Sequence, residues 1–280
     1  MNHTWQSEEE AVLYHPQTPR DWLRVVRRGL PVALVTFGGL ALLMLLRVFE
    51  RPLCGPRRPV TPYLTRAVCR ANLLLLGFRT EFRGKAAPSP VAIVANHSTW
   101  LDIFALNAAQ TVVFVSKAEV ASWPGIGLLA KATGTLFIKR ETREVTGQVT
   151  LLQDKLRAGE RLVFFPEGTS GDGRQVLPFK PALFAALTQS GLAGMQVQPV
   201  TLYYDAPAGR DRRFYGWWGN MDFGPHLLSV LSVPKQGRIT VTRHAPLSCA
   251  AMPDRKALSA HSEATIRAAL CAQIADEARP

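Results

Sequence analysis

Several things are scarce in this chain. Only four cysteines occur in 280 residues (Cys54, Cys69, Cys249 and Cys271), and no two form a CxxC pair. Set beside six histidines, they show no metal-ligand spacing, so no metal site is expected and reduced thiols facing the cytosol are. Acidic residues are outnumbered, 21 against 33 Lys and Arg, for a formal charge of +12. The basic residues are spread along the chain, which argues against a nucleic-acid-binding tail. A surface turned toward anionic lipid headgroups, or a polyanionic substrate, fits better. Internal repeats, low-complexity tracts and a G-x-S-x-G nucleophile elbow are all missing.

One long hydrophobic run is present. Gly29 to Leu46 holds 18 uncharged residues between Arg28 and Arg47, roughly 27 Å as a helix and just enough for a bilayer core. It begins late and ends in Leu45-Leu46-Arg47 without a small-residue cleavage site, so it reads as an anchor, not a secretory signal. The expected organisation is a polar segment over 1–28, an anchor over 29–46, a proline-rich linker over 47–60 and one large domain over 61–280. Arginines crowd both flanks of the anchor, and the positive-inside rule tips only slightly toward a cytoplasmic C-terminal side.

Beyond the anchor, apolar runs alternate between helical and strand spacing. Helices are expected over Tyr63–Leu76, Trp123–Ala130, Thr142–Leu156, Ala182–Gln189 and Ala257–Ala275. Strands are expected over Phe78–Phe82, Val91–Ala95, Val112–Val115, Leu136–Ile138, Leu162–Phe165 and Val197–Tyr203, with Ile239–Arg243 at an edge. Such alternation predicts an α/β fold whose mixed, largely parallel sheet is covered by helices on both faces.

The stretch VAIVANHSTWLD, Val91 to Asp102, organises the rest. Five small or β-branched residues make a buried strand, a polar turn carries Asn96, His97, Ser98 and Thr99, and an amphipathic segment starts at Trp100. On one continuous helix His97 and Asp102 would be rotated by roughly 500° and could not meet. They meet only if His97 lies in the turn and Asp102 reaches back from the first helical turn, accepting the imidazole N–H and leaving the other nitrogen as a general base. The plain alternative is a capping box, Thr99-x-x-Asp102. Three other strand ends carry polar residues: Lys117, Lys139 with Arg140, and Glu167 with Gly168 and Thr169. Convergence at the C-terminal edge of the sheet would bring one base, three cations and a carboxylate together. A guanidinium can grip an anion bidentately, and Gly168 admits close backbone approach.

The blocks NHSTWLD (96–102), GTLFIKR (134–140), FPEGTS (165–170) and VQPVTL (197–202) resemble, in order and spacing, the glycerolipid acyltransferases that acylate lysophosphatidic acid. The resemblance covers roughly residues 60–245. It implies a membrane-bound enzyme moving an acyl group from acyl-carrier protein or acyl-CoA to a lyso-lipid hydroxyl, with no metal and no further cofactor. His97 would be the base and Asp102 its orienter. Lys117, Lys139, Arg140, Glu167, Gly168 and Thr169 would hold substrate, Pro199 would lie near the acyl pocket, and backbone N–H groups after Ser98 would hold the oxyanion. One position departs: the phosphate-acceptor enzymes carry Arg after FPEGT, where this chain has Ser170. With FYGWWGNMDFGPHL (214–227), this resembles the bacterial branch that acylates lyso-ornithine lipid, placed at the inner membrane with its site facing the cytoplasm. Arg174 and Lys180 are candidates to replace the missing guanidinium. Three rivals stand beside this reading: a dedicated 1-acyl-sn-glycerol-3-phosphate acyltransferase, a hydrolase using Ser98, and a non-catalytic binder of anionic lipid.

Overall fold

The computed structural model describes residues 5–7, 13–55, 58–123, 125–138, 145–188 and 194–277. Eight strands form one sheet: β1 (Arg79–Arg83), β2 (Val91–Ala95), β3 (Val113–Lys117), β4 (Leu136–Ile138), β5 (Leu162–Phe164), β6 (Gln196–Tyr204), β7 (Arg238–Arg243) and β8 (Leu247–Ser248). Their order is β1-β7-β6-β2-β5-β3-β4, with β8 pairing β6. Strands β6, β2, β5, β3 and β4 run parallel, whereas β7 and β8 are antiparallel to β6. The sheet is therefore mixed and mostly parallel, as the alternating pattern predicts.

Every residue of β2 is fully buried, because α-helices cover both faces. Ile93 and Ala95 pack with Leu101, Leu106, Val200, Leu202 and Tyr204 on one side, under α2 (Thr61–Leu76), α3 (Leu101–Ala109) and α7 (Phe223–Ser232). Ala92 and Val94 pack with Phe164, Phe184, Val197, Leu258 and Ile266 on the other, under α5 (Val145–Arg157), α6 (Ala185–Thr188) and α8 (Arg255–Glu277). The strand's alternation divides its side chains between two cores. Each fully buried aliphatic side chain contributes about 1.5–3 kcal/mol.

Three boundaries differ from expectation. Ile239–Arg243 is no edge: β7 lies between β6 and β1, and β1 takes the edge. The helix expected at Trp123–Ala130 is shifted to α4 (Ile126–Thr133), with a 3₁₀ turn at Ala118–Ser122 before it. The anchor expected at 29–46 is part of a 36-residue helix, α1 (Pro19–Cys54), so the linker expected at 47–60 begins only after Cys54. Pro31 and Pro52 both lie inside it. Thr18 caps its start by accepting from the Asp21 N–H, and Asp21 returns the bond in a capping box.

Helix α1 lies along the domain. Arg28, 5 % exposed, donates to the Leu231, Val233 and Pro234 carbonyls at the end of α7. Farther on, the Asn72 amide of α2 donates to Thr36. Near the end, Glu50 accepts from the backbone N–H groups of Val60 and Thr61. The opposite face exposes Leu30, Leu34, Phe37, Leu45, Val48, Phe49 and Leu53.

Candidate active site

The turn after β2 is held from three sides. The Asn96 side chain extends the pairing to β6: its amide donates to the Leu202 carbonyl at 2.9 Å and its oxygen accepts the Leu202 N–H at 2.8 Å. The His97 N–H donates to Glu167 Oε1 at 2.8 Å, and the His97 carbonyl accepts the Gly171 N–H at 2.9 Å. The Ser98 carbonyl accepts the Trp217 N–H at 2.8 Å. So β6, the 165–171 loop and the 214–218 loop all tie down the same three residues. Fixing a turn this way removes the entropy that a catalytic side chain would otherwise lose during reaction.

Asp102 sits in the first turn of α3 with no exposure, and its Oδ2 lies 2.7 Å from His97 Nδ1. The same oxygen accepts the Ser98 N–H at 2.8 Å and the Thr99 N–H at 3.1 Å. Its other oxygen accepts from the Tyr204 hydroxyl at 2.5 Å. Only half of the capping box forms: Asp102 accepts the Thr99 N–H, but the Asp102 N–H goes to the Thr99 carbonyl and not to its hydroxyl. With the carboxylate accepting, Nδ1 carries the imidazole proton and Nε2 presents its lone pair. The ring lies flat on Phe165, centroids 4.0 Å apart and planes 12° apart, with a fifth of the side chain open to solvent. That combination yields a tethered base of fixed tautomer and fixed ring plane.

Not every expected residue faces this opening. Glu167 is 2 % exposed, its two oxygens accepting the His97 and Leu177 N–H groups. It lies beneath the turn, not at its mouth. Burial, which outweighs those two bonds, pushes its carboxyl up to about 8. Gly168 follows with φ +73°, a left-handed conformation that closes the turn through its N–H to the Phe165 carbonyl. Thr169, partly exposed, leans on the Ser170 carbonyl at 3.5 Å. Lys117 ends β3, two strands from β2 on the same sheet edge, roughly 10 Å away by strand spacing. Lys139 and Arg140 lie outside the described residues. Pro199 is buried within β6 beside Val94, its carbonyl accepting the His244 N–H.

Two further expectations are corrected. Of the N–H groups after Ser98, that of Thr99 is consumed by Asp102 and is not free to hold an oxyanion, and that of Leu101 leans on the Thr99 hydroxyl at 3.5 Å. Arg174 does not supply the missing guanidinium, because it is bonded to Glu277 of α8 at 2.8 Å. As for a serine nucleophile, Ser98 is 2 % exposed, and no hydrogen bond joins it to the imidazole among the described residues. The 214–227 segment is folded inward: Phe214, Tyr215 and Trp218 are buried and α7 starts at Phe223.

Sequence reasoning missed Tyr204 and His226. Tyr204 closes a strand buried along nearly its whole length, and a buried tyrosine hydroxyl requires a partner, which was the available signal. Its proton is held well above the usual range by burial and then by Asp102. His226 accepts the Trp100 indole N–H at 2.9 Å. Burial pushes its imidazole down to about 4, so it stays neutral and holds Trp100 at the edge of the turn. Among the described residues no group of three or more His, Cys, Asp or Glu is placed to hold a metal.

Comparison with known proteins matches this architecture to relatives. The family model described as Acyltransferase matches residues 79–203, which include the β2 turn and the 165–171 loop. The lyso-ornithine lipid O-acyltransferase of Rhodobacter capsulatus is 53% identical over 88% of this chain and 90% of its own length. The chain belongs to the acyltransferase family. The enzyme is thus an acyltransferase, and the helix-covered sheet carries that chemistry. The 1-acyl-sn-glycerol-3-phosphate acyltransferase of Neisseria meningitidis is 34% identical over 68% of this chain and 72% of its own. The crystal structure of the 1-acyl-sn-glycerophosphate acyltransferase of Thermotoga maritima shares the fold, with a TM-score of 0.64 at 18% identity, covering 93% of this chain and 98% of that one.

Proposed function

We propose that this acyltransferase moves a fatty acyl group from a thioester, acyl-carrier protein or acyl-CoA, to the hydroxyl of lyso-ornithine lipid. The observation that carries the reaction class is the His97–Asp102 pair at 2.7 Å on a turn pinned by three separate loops and strands. His97 Nε2 takes the proton of the acceptor hydroxyl as its oxygen attacks the thioester carbonyl. The thiolate leaves and recovers the proton from the imidazolium, giving an ester and a free thiol. A thioester is already activated, so one base and good positioning suffice and no covalent enzyme intermediate is needed. Asp102 orients the imidazole and stabilises its charged form. Lys117, at the end of β3, provides a cation for donor or acceptor, and by sequence Lys139 and Arg140 add two more. Glu167 acts here by fixing the turn, and Pro199 lies behind it toward the acyl chain.

Two observations favour an ornithine headgroup over a phosphate. Ser170 stands where the phosphate-acceptor enzymes carry arginine, and Arg174 is committed to Glu277. The 53% relative bears the lyso-ornithine lipid name. Lysophosphatidate remains the second acceptor to compare, since phosphate-acceptor relatives also align.

The enzyme is membrane-associated, and α1 is read here as lying in one leaflet. Its contacts to α7 and α2 extend from Arg28 to Glu50, about 33 Å of helix. A helix docked over that length cannot also cross a bilayer alone, whereas its exposed apolar outer face suits a membrane surface. The inner membrane, with the site on the cytoplasmic side, is the corresponding location.

The test is thiol release by the detergent-solubilised enzyme with each lyso-lipid. Faster release with lyso-ornithine lipid supports the headgroup argument. Release only with lysophosphatidate refutes it while keeping the chemistry. His97→Ala should lower either rate at least about 10³-fold, and near-wild-type turnover would overturn the mechanism.

A further inference from the structure

At the opposite edge of the sheet from His97 lies a second cavity, of about 800 Å³. It is enclosed by the end of α1, the start of α2, the end of α4 and the residues leading into β3 and β5. Strands β3 and β5 start here and run toward the catalytic edge, so about 13 Å of sheet separates the two places. It is therefore outside the acyl-transfer site.

Its floor is cationic. The Nε atoms of Arg58 and Arg161 are buried with no hydrogen-bond partner, and neither guanidinium is bonded to a carboxylate among the described residues. Glu160 lies beside them, with one oxygen held by Lys155 at 2.9 Å and the other buried without a hydrogen-bond partner. Arg58 is fixed against Gly134, the left-handed residue that ends α4, where a Cβ would strike the guanidinium. Arg58, Arg161 and Lys155 thus share the one Glu160 carboxylate, and the excess of partly desolvated positive charge is costly unless an anion joins it. The mouth is apolar: Leu53 is 82 % exposed and Tyr63 62 % exposed, and both continue the outward hydrophobic face of α1 and α2.

We propose that this cavity binds the phosphate of an anionic membrane phospholipid between Arg58 and Arg161, with the first part of an acyl chain against Leu53 and Tyr63. The paired guanidinium groups match phosphate geometry. The volume suits a headgroup with part of a chain and is far more than bare phosphate needs. Because the apolar mouth opens on the membrane-facing side, the lipid, not soluble phosphate, is the source. Such a lipid would seat the junction of α1 and α2 in the bilayer. The inference does not depend on which acceptor the catalytic site uses.

Thermal melting of the full-length enzyme in neutral detergent tests it, with short-chain phosphatidylglycerol, short-chain phosphatidylcholine, glycerol 3-phosphate and inorganic phosphate as probes. A saturable rise of about 5 °C with phosphatidylglycerol alone is expected. It should vanish in Arg58→Gln/Arg161→Gln and persist in Arg157→Gln/Arg255→Gln, which removes the same charge from exposed positions. Turnover in neutral detergent should stay within twofold of wild type in all of them, separating this site from the reaction. An equal rise with phosphatidylcholine, or one that survives in Arg58→Gln/Arg161→Gln, overturns the proposal. A full rise with inorganic phosphate overturns the lipid as source. If that double variant fails to fold, Arg161→Gln alone carries the test and should show less than half the wild-type rise.

Discussion

Replacing Asp102 by asparagine keeps the shape of the side chain and removes its charge. The surroundings dictate how the amide sits. Its oxygen must face His97 Nδ1 and the Ser98 and Thr99 N–H groups, because an NH₂ turned toward those three donors would orphan them, at about 1–3 kcal/mol each. The NH₂ then faces the Tyr204 hydroxyl, which can rotate and accept instead. The turn thus survives, and the melting temperature should move by only a few degrees. Catalysis should not survive so well. The imidazolium formed during attack loses its charge-assisted bond to the carboxylate, worth about 1.5–3 kcal/mol. Thiol release should show kcat/KM lowered about 10- to 200-fold. A variant within threefold of wild type would refute a catalytic part for Asp102 and leave it as a tie for the turn.

Tyr204→Phe strips the partner from the second Asp102 oxygen, which should cost about 1–3 kcal/mol of stability in denaturant melts; an unchanged stability would show that the bond contributes nothing. Glu167 supplies a pH dependence of stability. Its folded pKa of about 8 exceeds its unfolded value of 4.5, so the folded state binds the proton more tightly and stability is lost as pH rises toward 8. The depressed His226, at about 4 against 6.5, has the opposite slope below pH 6.5, so the clean window is pH 6.5–8, with a loss near 1.4 kcal/mol per unit. Denaturant melts should show that decline in wild type and a flatter profile in Glu167→Gln; equal slopes would remove Glu167 from the account. Arg28→Met retains bulk but leaves the Leu231, Val233 and Pro234 carbonyls unmatched. It should lower stability by about 2–4 kcal/mol and raise proteolysis near residue 28, and unchanged protection would refute the docked α1.

Local pattern carried a good deal. The strand at Val91–Ala95 and the one at Leu136–Ile138 were legible to the residue, because short β-branched runs bounded by turn residues have few other ways to bury themselves. The five-residue spacing of His97 and Asp102 already required the histidine to stand outside the helix, which is the geometry found. Four ordered blocks identified the family. Tertiary structure decided the rest. Whether Glu167 faces a ligand or the backbone depends on where the 165–171 loop folds relative to His97, 70 positions earlier in the chain. The partner of Asp102 is Tyr204, 102 positions away, and a hydroxyl at the end of a buried strand does not announce which carboxylate it will meet. Hydropathy marked 18 residues of α1, but the helix runs for 36, because Thr18 caps its start and packing against α2 and α7 stabilises turns that composition alone leaves undecided. Periodicity reports what a segment buries. Only the assembled sheet settles which distant backbone and side-chain groups share that burial, and the chemistry depends on those pairings.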